Sequence, residues 1–168
     1  MNFDYKSVFV GVFLSLGALV IGELHGMAFG AKEADIKAGY KKTAQASVSV
    51  LKSPEAQAKA ASKAWKYLKR AHMHFMGLGT AALVLCLFLG LMPGARMPRM
   101  FAAIAVGFGA FIYPLFWTLV SFKTAAVGAG AAKESLGWIA QIGAGLGFLG
   151  LIAICVLAVL WALGKTER

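Results

Sequence analysis

"LGWIAQIGAGLGFLGLIAICVLAVLWAL", residues 136–163, contains no charged side chain. A helix needs roughly 20 apolar residues to cross the hydrocarbon of a bilayer. The stretch is long enough, and it lacks the strict alternation of a barrel strand. It reads as a transmembrane helix, and that reading decides the fold. Three more stretches follow the same rule. Residues 7–30, "SVFVGVFLSLGALVIGELHGMAFG", are interrupted only by Glu23 and His25. Residues 73–92, "MHFMGLGTAALVLCLFLGLM", and 100–122, "MFAAIAVGFGAFIYPLFWTLVSF", complete the set.

The composition agrees. The chain of 168 residues is 60% hydrophobic and 14% charged, with a mean hydropathy of +0.73. A soluble domain is about half apolar and a quarter charged. The sequence therefore predicts an all-α membrane protein: one integral membrane domain over residues 1–168, with four transmembrane helices in an up-down bundle. The first apolar run is too long for a signal-peptide core, and no small-x-small site closes it. Cys86 and Cys155 fall inside spans and read as buried thiols, without a disulfide framework.

Between the first two spans lies a basic loop, residues 31–72. "ADIKAGYKKTAQASVSVLK" sets Ile36, Tyr40, Ala44, Val48 and Leu51 on one helical stripe. Ser53 then reads as an N-cap and Pro54 as the first helical position. The following "EAQAKAASKAWKYLKRA" is rich in helix formers and runs toward the second span. The loop is expected to be a helical hairpin turning at Lys52, Ser53 and Pro54. It either stands up or lies on the lipid. "GAGAAKESLG", before the fourth span, reads as a flexible turn.

Lys and Arg near span ends favour the cytoplasmic side. The side with loop 31–72 holds twelve of them, ten in that loop plus Lys123 and Lys133; the other side holds five. This predicts a cytoplasmic loop with both termini outside, in a bacterial inner (cytoplasmic) membrane. The formal net charge of +10 is thus assigned to topology and to anionic lipid. No nucleic-acid motif accompanies it.

All three histidines occupy one end of the bundle. His25 precedes Lys32 by seven residues, and His74 follows Arg70 by four. At 1.5 Å per residue both imidazoles lie about 6–10 Å inside their charged borders. His72 and His74 are two residues apart, so about 200° separates them around a helix. Only one of them can face a given neighbour.

Paired imidazoles from two helices can ligate a haem iron. The expected function is an integral membrane, haem-b-binding electron-transfer subunit of a respiratory-type complex, linked to quinone. The expected ligand pair is His25 with His74, and His72 is the reserve. Gly26 and Gly77, with Gly30, Gly79, Gly107 and Gly109, would make room for the macrocycle. Lys69 and Arg70 would meet its propionates. Glu23, Tyr113 and Trp117 are the residues expected to serve protons or quinone. Expected partners are other membrane or peripheral redox subunits.

One alternative is a copper-binding membrane protein using His25, His72, His74, Met27 and Met76, since thioether suits Cu(I). The other is a structural or assembly subunit without cofactor. No HExxH, EF-hand, dinucleotide or Ser-His-Asp pattern is present. No extramembrane stretch is long enough to form a catalytic domain, so an electron-carrying or non-catalytic subunit is expected rather than a stand-alone enzyme. The layout resembles small membrane-anchor cytochrome b subunits in its four helices and paired histidines. That likeness is architectural, and architecture does not carry function.

Overall fold

The computed structural model describes residues 3–165, and these form four long helices. They are α1 (Tyr5–Ala46), α2 (Pro54–Leu91), α3 (Arg96–Val127) and α4 (Ala129–Ala162). All four are long and apolar enough to cross a membrane. The chain is a four-helix integral membrane protein, and the described residues contain no strand.

The hairpin is not a separate unit. α1 runs from the first apolar stretch through the basic segment as one helix, with a kink at Lys32 (φ −140°, ψ 25°). Gly30, two residues earlier, is a natural weak point in the helical ladder. The expected stripe is buried at Tyr40 and Ala44, and Leu51 is buried too. Val48 departs from it and is exposed, because the helix has already ended at Ala46. The predicted turn holds: Ser53 Oγ accepts from the Ala56 N–H at 3.2 Å, and Pro54 opens α2.

The hairpin stands up and prolongs the bundle. Phe29 meets Trp65 edge-to-face at 5.0 Å. Beyond the kink, Tyr40 reaches α3, where its hydroxyl and that of Ser121 are 2.5 Å apart. The Ser121 hydroxyl in turn donates to the Ala64 carbonyl of α2 at 2.9 Å.

"GAGAAKESLG" is not a flexible turn. The reversal takes one residue, Gly128, in the left-handed region (φ 82°), and α4 starts at Ala129. Only glycine adopts that conformation cheaply, while "AAKES" goes helical on its own propensity. Cys155 is exposed on α4, and only Cys86 is a buried thiol.

At the opposite end, Arg99 is buried. It donates to the Met92 carbonyl at 2.7 Å and pairs with Asp4 at 2.8 Å. Asp4 also caps α1. One guanidinium thus ties the α2–α3 turn to the start of α1.

Glycines set the helix contacts. A Cβ on Gly107 would lie 2.7 Å from the Gly11 carbonyl oxygen, so α1 and α3 cross backbone to backbone there. Likewise, Cβ atoms on Gly143 and Gly150 would lie 2.7 Å from backbone nitrogens of α3, at Tyr113 and Val106. Small residues allow this approach in membranes, where packing replaces the hydrophobic drive. Gly143 and Gly150 of α4 are therefore spent on contacts within the bundle. α3 touches all three other helices, α4 scarcely meets α2, and α1 and α4 do not meet. The outer face is apolar, with Phe9, Phe13 and Val20 on α1 and Phe148, Ile152 and Val156 on α4 exposed.

Candidate functional site in the histidine layer

α2 splits its two histidines between two neighbours, as helical geometry requires. His72 faces α1. Its Nδ1 lies 2.8 Å from the Gly22 carbonyl oxygen. His25 turns back onto its own helix, with Nδ1 2.9 Å from the Ile21 carbonyl oxygen. A carbonyl only accepts, so in both rings Nδ1 carries the proton. In the neutral form of either ring the lone pair then sits on Nε2. Phe29 is shared between the two, its centroid 6.0 Å from the His25 ring and 5.5 Å from the His72 ring. His25 also stacks on Phe75 at 5.6 Å.

His74 faces the other way. Its ring lies 5.2 Å from Tyr113 and 6.5 Å from Trp117, both on α3. The pair His25 and His74 is not brought together; the histidine across from α1 is His72, the reserve.

The seam between α1 and α2 is closed. A Cβ on Gly26 would lie 3.2 Å from His72 Cε1, and one on Gly22 would lie 2.6 Å from Met76 Sδ. Gly79 is filled by Leu19 and Ala18, while Gly107 and Gly109 abut the backbones of Gly11 and Gly147. Of the six glycines expected to make room for a macrocycle, only Gly30 and Gly77 meet open space. A porphyrin does not fit between α1 and α2 as they pack here.

The remaining expected ligands are dispersed. Lys69 and Arg70 lie over aromatic faces: Lys69 Nζ is 5.7 Å from the Trp65 ring, and the Arg70 guanidinium is 4.5 Å from the Trp117 ring. Met27 is exposed, as is Glu23. Among the described residues, no group of three or more His, Cys, Asp or Glu is placed to hold a metal ion.

Sequence reasoning missed the groove beside His74. Because α4 is drawn onto α3 by glycines, a space of about 450 Å³ is left between α2, α3 and α4. Leu78 and Leu85 of α2, Ala110 and Tyr113 of α3, and Gly143 and Phe148 of α4 line it. Its walls are almost wholly apolar except at Tyr113. His74 lies one helical turn before Leu78 and packs on Tyr113. Trp117 adjoins both, and its indole Nε1 is buried without a hydrogen-bond partner. The signal was present in α2, where His74, Leu78, Ala81 and Leu85 form one stripe at helical spacing. Nothing local says that the helix opposite stands off.

Comparison of the chain with family models, curated proteins and solved structures finds no match. The site must be read from its own chemistry. It offers an apolar trough lined at one end by the Tyr113 phenol, with the His74 and Trp117 rings packed behind that residue. That combination suits an amphipathic ligand whose polar ring sits among the aromatics while its tail lies in the trough.

Proposed function

We propose that this protein is a quinone-linked electron-transfer subunit of a membrane assembly. The quinone ring would sit among His74, Tyr113 and Trp117, with its isoprenoid tail along the groove. The observation that carries this reading is the buried, unpartnered Trp117 Nε1 on a ring that packs against Tyr113, the phenol that lines the apolar groove. A buried donor left unpaired costs free energy unless a ligand or water accepts from it. A quinone carbonyl is such an acceptor. His74 and the Tyr113 hydroxyl are the groups able to hydrogen-bond the reduced ring. Electrons would reach the quinone from a redox partner in the assembly.

The test is binding of a short-chain quinone to the purified protein in lipid nanodiscs, read by tryptophan quenching and thermal shift. Saturable binding is expected. Trp117→Phe and Tyr113→Phe should each weaken it by about tenfold, the equivalent of one buried hydrogen bond of about 1.4 kcal/mol. Absence of saturable binding by well-folded protein sinks the reading.

A second reading, a haem-b carrier, draws support from the imidazole tautomers. Both His25 and His72 hold Nδ1 on a carbonyl, which leaves Nε2 as the nitrogen that would serve as an axial ligand. It also requires α1 and α2 to stand further apart than they do. A Soret band in haem-supplied protein, lost in His25→Ala or His72→Ala but kept in His74→Ala, would favour it. Metal analysis of the same preparation tests copper. Failure of all three leaves the cofactor-free structural subunit.

A further inference from the structure

Two long polar side chains within the apolar spans face outward without a partner. They are Glu23 on α1 and Gln141 on α4, both exposed, and no hydrogen bond or ion pair reaches either among the described residues. In hydrocarbon, a carboxyl or carboxamide with no partner is costly, and polar side chains at such positions act as glue between helices.

The two lie at one level. Gly22, beside Glu23, meets Met76 and Phe75 of α2. Phe75 meets Phe111 of α3 at 6.4 Å, and the Tyr113 backbone abuts Gly143 of α4. Gln141 is two residues before Gly143. At 1.5 Å per residue, Glu23 and Gln141 sit within about one helical turn of the same depth.

They also lie on opposite sides. α1 and α4 do not touch. Gln141 is about 200° around its helix from Gly143, which faces α3, so it points away from the bundle. Glu23 is about 100° from Gly22, which faces α2, and about 120° from Gly17, which packs on Phe111 of α3. It too points away. The surroundings are open to a second helix. Gly137 and Gly145, one turn to either side of Gln141, meet nothing within 4 Å, and neither does Gly30, two turns from Glu23 on its face.

We propose that copies of this chain associate side by side in the membrane, the α1 face of one against the α4 face of the next. The Gln141 carboxamide donates to the Glu23 carboxyl of the next copy. The chain carries both halves of this contact at one depth on opposite sides, so it complements a second copy of itself without a two-fold axis. Such a head-to-tail contact closes into a ring when the rotation per copy allows.

The test uses two differently tagged versions of the full chain, co-produced, with both native thiols replaced by alanine. One carries Glu23→Cys and the other Gln141→Cys. Oxidation in intact membranes should give a mixed-tag disulfide. Leu16→Cys, two turns away on the same face of α1, should give far less with Gln141→Cys. In mild detergent, Gln141→Leu should weaken association by about threefold to tenfold, the worth of one interhelical hydrogen bond. Glu23→Gln, which still accepts, should retain it. The proposal is overturned by the absence of a 23–141 disulfide in folded protein. It is equally overturned if only 23–23 or 141–141 disulfides form, which would mean a two-fold dimer, or if both positions cross-link to a different subunit.

Discussion

Single residues here are defined by what faces them. His72 and His74 belong to one motif but serve two interfaces, one across Gly22 and the other across Tyr113. That they must separate was legible from the spacing. Which of them would meet α1 was not, because that depends on how α2 is rotated about its axis. The rotation is set by close contacts at Gly22, Gly26 and Gly79, where a few degrees would bring side chains into collision. Tyr40 carries a prediction at this scale. Burial against Ala64, Trp65 and Ala125 pushes its phenol above the ordinary 10.0, and the bond to Ser121 only partly offsets this. The folded state therefore favours the protonated ring. Docking of the hairpin on α3 should be constant below about pH 10 and weaken as pH rises from there through the raised value. Hydrogen exchange or proteolysis of the hairpin across that range should detect the loss. Tyr40→Phe should remove the Tyr40-linked part of the pH dependence.

At the scale of elements, glycine decides which helices meet and which stand apart. Gly143, Gly147 and Gly150 bring α4 onto α3. The cost of that intimacy is the gap against α2 that forms the groove. Gly150→Val should therefore collide with the Val106 backbone and destabilise the α3–α4 pair by about 3 kcal/mol, near the top of the overpacking range. Gly77 is the contrast. It sits inside α2 with open space around it, so Gly77→Ala should be neutral or stabilise by roughly 0.5–1 kcal/mol through helix propensity. Thermal unfolding in one detergent compares the two. Pro114 lies within α3, which is continuous from Arg96 to Val127. The Thr118 hydroxyl donates to the Pro114 carbonyl at 3.4 Å.

For the whole molecule, the charge asymmetry carries the sidedness. The hairpin, Lys123 and Lys133 gather at one end, and the Arg99–Asp4 pair secures the other. If basic residues set the topology, the hairpin tip is cytoplasmic. Ser53→Cys, in a chain lacking Cys86 and Cys155, should then resist a membrane-impermeant maleimide in intact cells. It should react after permeabilisation, and labelling of intact cells would invert the orientation.

The sequence by itself determined the four spans, the helical character of the basic hairpin, the reversal at Ser53 and Pro54, and the division of the histidines. Each follows from hydropathy or from the 3.6-residue period, and both act within one segment. Only the tertiary structure decided that α1 and α2 close over Gly26, that His72 is the histidine facing α1, and that His74 packs on Tyr113, which lines a groove. Those outcomes depend on the rotation and separation of helices far apart in the chain. In a bilayer, that geometry is settled by which backbones can touch, and no segment contains that information alone.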